Sequence, residues 1–178
     1  MADDIKRIAV FGPESTGKTW LAERLAVKFQ APLVEEYARE FWDKNGVITL
    51  EDMLPIAREQ WRREDDAVTR AEGLIICDTD ALTTMLWSDL LYGTSPEELR
   101  RTAEKRAKNY ALYLLLDIDV PFAPDPQRCF PDPADRELGM RIWRGALERR
   151  QLPFELIQGD WSQRERRACA AIERVMMP

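Results

Sequence analysis

Eight consecutive residues, Gly12-Pro-Glu14-Ser15-Thr16-Gly17-Lys18-Thr19, place two glycines, a lysine and a hydroxyl at the spacing GxxxxGK[ST]. Glycines at those positions let successive backbone N–H groups curl around phosphate oxygens, and a helix that follows sets its positive N-terminal end against the same anion. In such a P-loop the backbone from Gly12 through Glu14, Ser15, Thr16 and Gly17 cradles the phosphates. Lys18 reaches the outer phosphates, and Thr19 offers its hydroxyl to a magnesium ion. ATP and Mg²⁺ are the cofactors that this chemistry implies. Four fixed positions coincide by chance in a chain of 178 residues about 1 % of the time or less.

A phosphate loop needs an acid to hold the metal's water shell, and Asp78 at the end of the apolar run Leu74-Ile-Ile-Cys-Asp78 supplies one. Asp80 stands two residues on; it either shares the site or caps the helix that starts at Ala81. Glu35-Glu36-Tyr37-Ala-Arg39 closes a short strand, and ligands collect at the carboxyl ends of parallel strands. Glu36 there is the candidate base for an acceptor hydroxyl, against the simpler reading of a solvated charge cluster opening a helix. Tyr37, Trp42 and Trp87 either stack on an aromatic substrate or pack in the core. Arg128 and Arg136 are candidates to neutralise charge on a transferred phosphoryl group, or are ordinary surface arginines. Gly159-Asp160-Trp161 is placed to border a nucleotide base.

The elements that must position these residues are legible in outline. Ile5 to Phe11, Pro32 to Glu36, Gly73 to Asp78, Leu112 to Ile118 and Phe154 to Gln158 read as strands. Helical spacing follows from Lys18 to Phe29, Leu50 to Ala71, Asp80 to Tyr92, Pro96 to Lys108 and Gln163 to Met176. The charged helices Glu97 to Lys108 and Arg164 to Arg174 read as solvated faces. Strand alternating with helix, with apolar runs buried on both faces, predicts an α/β fold: a five-stranded parallel sheet flanked by helices, with at most five of each element. Residues 1–178 read as one domain, with no repeat or linker. Within it, residues 120–136 hold five prolines and no periodicity, and read as a lid loop.

Composition narrows the chemistry further. The chain has no histidine, which removes Ser-His-Asp triads, imidazole bases and HExxH zinc sites. With 26 Lys+Arg against 32 Asp+Glu, the net charge of −6 argues against a nucleic-acid surface. The longest apolar run, Ala111 to Leu116, is far short of a membrane span. The charged start Met1-Ala-Asp-Asp-Ile-Lys-Arg argues against a signal peptide. Three scattered cysteines fit neither a disulfide framework nor a metal pair, so a reducing cytoplasm is the expected compartment. Guanine-nucleotide switching is disfavoured, because the strand end reads Asp78-Thr-Asp-Ala rather than DxxG and no NKxD occurs.

Taken in order, GPESTGKT, EEYAREF, ICDTDALTT with the Trp87 segment, DVPFAPDPQR and LPFELIQGDWSQR resemble the ribosylnicotinamide kinase domain family within P-loop small-molecule kinases. The resemblance covers nearly the whole chain. It implies a nucleoside-kinase-like core that transfers the γ-phosphoryl of ATP to the 5′-hydroxyl of nicotinamide riboside. It puts Glu36, Tyr37 and Arg39 in the acceptor motif, Asp78 and Asp80 on the metal side, and Arg128 and Arg136 in the lid. The lid departs from the family pattern, reading Asp125-Pro-Gln-Arg128 where Asp-Gly-x-Arg is common. The family's bifunctional members also carry an adenylyltransferase domain with an HxGH motif, and a chain without histidine is expected to lack that chemistry. Two other functions fit the same residues: a regulatory ATP-binding module that hydrolyses ATP slowly, and a kinase for another nucleoside or small alcohol. Each reading takes a small molecule and ATP as partners, with no nucleic acid and no membrane.

Overall fold

The computed structural model describes residues 5–177; the charged start at Met1–Asp4 and the terminal Pro178 lie outside the described residues. Five strands form one sheet in the order β2-β3-β1-β4-β5, every neighbouring pair parallel. They are β1 (Lys6–Phe11), β2 (Leu33–Val34), β3 (Leu74–Asp78), β4 (Tyr110–Leu116) and β5 (Phe154–Ile157). The period of two along a strand divides the apolar side chains between two cores. Ile8 and Val10 of β1 face α1 (Lys18–Phe29) and α7 (Trp161–Met176), where Leu21, Leu25, Ala168 and Ile172 complete one layer. Ala9 and Phe11 face the other way, onto Trp61, Leu82, Met85, Leu99 and Trp143. Those five come from α3 (Leu50–Arg70), α4 (Ala81–Tyr92), α5 (Glu97–Ala107) and α6 (Pro133–Arg149). Each fully buried Leu, Ile or Phe contributes about 1.5–3 kcal/mol. Among the described residues, no helix is long and apolar enough to cross a membrane.

The chain has seven helices among the described residues, two more than the spacing predicts. One is α2 (Tyr37–Asn45), which buries no residue completely and so shows no full apolar stripe to read. The other is α6. Pro133 sits in its first turn behind the N-cap Asp132, where proline's fixed φ and missing N–H are tolerated. The irregular segment therefore ends at residue 132, and Arg136, read as part of the lid loop, stands on a helix instead.

All strands run toward one edge, and the P-loop leaves β1 at that edge. Gly12 has φ +147°, and a Cβ there would lie 2.9 Å from the Leu116 carbonyl oxygen, so the loop passes tightly against the end of β4. Gly17, at φ +86°, opens α1; a Cβ there would lie 2.5 Å from the Trp161 ring. At the opposite edge Arg106 and Arg7 reach the buried Glu64 at 2.9 and 3.6 Å. That ionic cluster takes no part in the site.

Candidate active site

The central contact joins the P-loop to β3. Thr19 Oγ1 donates to Asp78 Oδ2 at 2.6 Å, and Asp78 is only 3 % exposed. Burial pushes the Asp78 carboxyl above its ordinary range, while the Thr19 hydrogen bond and the Lys18 charge pull it back. Its second oxygen, Oδ1, is buried without a partner. Among the described residues no cluster of three His, Cys, Asp or Glu side chains is built to hold a metal by itself. Magnesium does not require one, since it keeps several waters and takes one or two protein oxygens with substrate phosphates. The Thr19 hydroxyl and the orphaned Asp78 oxygen suit that demand. Lys18 Nζ donates to the Pro13 carbonyl at 2.8 Å, within its own loop. Burial lowers the Lys18 pKa, opposed by the charges of Glu36, Asp78 and Glu14.

Glu36 follows β2 and is the N-cap of α2, yet its side chain makes no capping hydrogen bond. The carboxylate is free to face a cleft of about 500 Å³ that also contains Thr19, Glu35, Arg39 and Asp78. Burial, reinforced by the neighbouring Asp78 charge, raises its pKa to about 7; Lys18 and Arg39 act against the rise. A carboxylate with that pKa is matched to accept a proton near neutral pH. The cleft wall is acidic: Glu23, Glu40 and Asp43 add to Glu35, Glu36 and Asp78, against Arg39 and Lys44. Glu40 is itself paired with Lys44 and Arg63, each at 2.6 Å.

The proline-rich segment lies over the P-loop and is tied down by it. The Glu14 carboxylate accepts from the backbone N–H groups of Cys129 at 3.0 Å and Phe130 at 2.6 Å. Ser15 Oγ accepts from the Ala123 N–H at 2.8 Å. From the wall of the acidic cleft, Arg39 donates to Asp125 Oδ1 at 2.9 Å. Arg128 donates to the Ala123 carbonyl within the segment, and its charge acts on Lys18. Arg136 donates to the Val120 carbonyl at 2.9 Å and lies 5.9 Å from the Phe122 ring centroid. Both arginines thus brace the segment. The side-chain bonds of Glu14 and Ser15 to the proline-rich segment leave no mark in the sequence, because they join residues more than a hundred positions apart.

The aromatic candidates separate. Trp87 lies parallel to Phe130, with 6.1 Å between ring centroids and 10° between planes, and meets Trp143 edge-on at 5.0 Å. These rings border a small apolar hollow that also includes Pro13 and Glu14 of the P-loop. Phe130 was not singled out from the sequence. Tyr37 turns elsewhere: the Arg63 guanidinium covers its ring at 4.5 Å, and its backbone N–H donates to Gln60 Oε1. Asp80, read as a shared site residue or a cap, is the cap. Its Oδ1 accepts from the Thr83 N–H and hydroxyl at 2.9 and 3.1 Å, and its Oδ2 accepts from Tyr113 at 2.9 Å. With both oxygens engaged and the residue 1 % exposed, Asp80 does not reach the cleft. Trp161 packs on Gly17 and against Trp20, with centroids 4.9 Å apart.

Residues 7–164 match the AAA domain family. The chain belongs to that family. It is also homologous to the trifunctional NAD biosynthesis/regulator protein NadR of Escherichia coli (strain K12), with 26 % identity over 179 residues that cover 97 % of this chain and 43 % of the relative. NadR of Salmonella typhimurium is 22 % identical over 178 residues, again 43 % of its length. The chain thus spans less than half of these curated relatives. The crystal structure of NadR in complex with NR superposes with a TM-score of 0.78 at 24 % identity, covering 97 % of this chain and 52 % of that one. Thymidylate kinase from Ehrlichia chaffeensis gives a TM-score of 0.66 at 14 % identity, covering 94 % and 98 %. The fold is that of P-loop nucleoside and nucleotide kinases, as the resemblance implies, on the five-stranded parallel sheet that the element order predicts.

Proposed function

We propose that this chain is a P-loop kinase that transfers the γ-phosphoryl group of ATP to the 5′-hydroxyl of nicotinamide riboside, giving nicotinamide mononucleotide. The observation that carries the reading is the Glu36 carboxylate, uncommitted to capping, raised to about 7 and facing an acidic cleft with Asp78 beside the P-loop. A regulatory ATPase needs room only for a water beside such a carboxylate, whereas the cleft of about 500 Å³ beside Glu36 has room for a small-molecule acceptor. Glu36 accepts the acceptor's hydroxyl proton as the freed oxygen lone pair forms the new P–O bond. The bond to the bridging β–γ oxygen breaks, and its electron pair leaves with ADP. Lys18 stabilises the charge that shifts onto the departing phosphate. Thr19 and Asp78 are the residues that would hold a magnesium ion, which would supply further neutralisation of the triphosphate. Arg128, whose charge already acts on Lys18, closes over the same groups from the lid.

Two features favour this acceptor. Nicotinamide riboside carries a fixed positive charge on its ring, and the cleft is walled mainly by carboxylates. The parallel Trp87 and Phe130 rings offer flat aromatic faces to such a cation. The names of the relatives point the same way: NadR is an NAD biosynthesis protein, and its solved complexes hold NR in one case, NAD and AMP-PNP in another.

The test is mass-spectrometric analysis of products after incubating the chain with ATP, Mg²⁺ and an equimolar mixture of nicotinamide riboside and common nucleosides. The expected result is nicotinamide mononucleotide alone. Another phosphorylated nucleoside would replace the acceptor while keeping the mechanism. ADP without any phosphorylated acceptor would replace the kinase with an ATPase module.

A further inference from the structure

We infer that Arg164, a residue that touches neither reactant, is a positioning residue for the phosphate-donor site, acting through the Thr16–Gly17 peptide of the P-loop. Its sequence setting suggests one more exposed charge on α7. Its side chain is instead 1 % exposed, and every nitrogen of the guanidinium is engaged. Nε donates to the Gly159 carbonyl at 2.8 Å, NH1 to the Thr16 carbonyl at 3.0 Å, and NH2 to the Asp117 carbonyl at 2.9 Å and to Asp119 Oδ1. Three separate stretches of chain meet on one side group: the P-loop, the segment that leads from β4 into the lid, and the turn before α7.

The placement is costly on its own terms. A guanidinium loses hydration when buried, and a cation in the first turn of α7 opposes the helix dipole. An apolar residue there would avoid both penalties. What the arginine adds is direction. In a trans peptide the C=O and N–H point opposite ways, so holding the Thr16 carbonyl toward Arg164 turns the Gly17 N–H away from it, toward the inside of the loop. That N–H is one of the donors a phosphate meets at the start of α1. A charged donor on the carbonyl also polarises the peptide and strengthens the N–H on its far side. Trp161, one turn earlier on the same helix, closes over Gly17 from outside and prevents the peptide from swinging back.

This inference rests on the P-loop being the donor-phosphate site, and the experiment separates the two. ADP binding is measured by isothermal titration calorimetry for the parent, Lys18→Ala, Arg164→Lys and Arg164→Met, with folding checked by circular dichroism. Lys keeps the charge but cannot span the four acceptors; Met keeps the bulk and removes the charge. Both should bind ADP about tenfold more weakly or worse, while KM for the acceptor changes by about twofold at most. Amide exchange at Gly17 and Lys18 should quicken in both. A folded Arg164→Lys protein that binds ADP within twofold of the parent overturns the inference. Should neither Arg164 variant fold, Asp119→Asn decides: it leaves the guanidinium buried but removes its one ionic partner. ADP affinity weakened about threefold supports the role, and unchanged affinity overturns it. A parent that binds no ADP, or a Lys18→Ala protein that binds it normally, refutes the donor site and leaves the fault there rather than with Arg164.

Discussion

Replacing Glu36 by Gln should move activity and stability in opposite directions. In the folded protein the Glu36 carboxyl titrates near 7 rather than at its ordinary 4.5. The proton is therefore bound more tightly by the folded chain than by the unfolded one. For a carboxyl raised in this sense the penalty on the folded state is complete above pH 7 and disappears below the ordinary value of 4.5. At about 1.4 kcal/mol per pH unit, the ionised side chain costs about 3 kcal/mol at pH 8. Gln has nearly the same shape without the charge, and its amide donors face the open cleft, where water satisfies them. Urea denaturation at pH 8 should show Glu36→Gln more stable by up to about 3 kcal/mol, a rise in Tm on the order of 5–10 °C. At pH 5 the difference should shrink toward zero. In the same protein phosphoryl transfer should fall by about a hundredfold or more, because the base is gone. For the parent, kcat/KM at limiting substrate should rise about tenfold per pH unit below 7 and level off above it. The Gln variant, which keeps any titration of ATP itself, should lose that limb. Full activity in Glu36→Gln, or an unchanged acid limb, refutes the base assignment. A loss of stability at pH 8 refutes the electrostatic account of the site.

The two aspartates around Thr79 should part company: Asp78→Asn should lower kcat by about a hundredfold or more, whereas Asp80→Asn, which still caps α4, should leave it within about threefold. Equal losses in steady-state assays would mean that Asp80 does more than cap. Glu14→Ala should speed amide exchange at Cys129 and Phe130 by about tenfold, since both N–H groups lose their acceptor; unchanged exchange by mass spectrometry would mean that the proline-rich segment is held elsewhere. Trp87→Ala should raise KM for the acceptor by about tenfold with kcat within about threefold, and a change confined to kcat would move that ring out of the acceptor site.

What could be read in advance follows from how far apart the interacting residues lie. The phosphate loop is contiguous, so Gly12 to Thr19 announce themselves, and the apolar runs that end at Asp78 and before Glu36 disclose which residues reach the functional edge of a parallel sheet. The five-stranded sheet was legible for the same reason. Residues whose meaning depends on distant partners were not. Arg164 reads as one of several arginines on a charged helix, and only the approach of Thr16, Asp117 and Gly159 makes it an interior residue. Asp80 differs from Asp78 through Thr83 and a tyrosine thirty-three positions away. Phe130 lies in an aperiodic stretch, and its pairing with Trp87 arises from the path of that stretch over the P-loop. Pro133 disguised the start of α6, since proline marks a loop as readily as a first helical turn.

The packing of Trp161 against Gly17 gives the molecule a built-in optical probe. Of its six tryptophans, this one lies on the P-loop glycine, keeps 46 % of its surface exposed and packs at a tilt against Trp20. Indole emission responds to solvent and to nearby charge, so an anion settling on the loop shifts the spectrum of the ring behind it. A protein in which Trp42, Trp61, Trp87 and Trp143 are replaced by Phe would report nucleotide arrival and departure in real time, with no label attached.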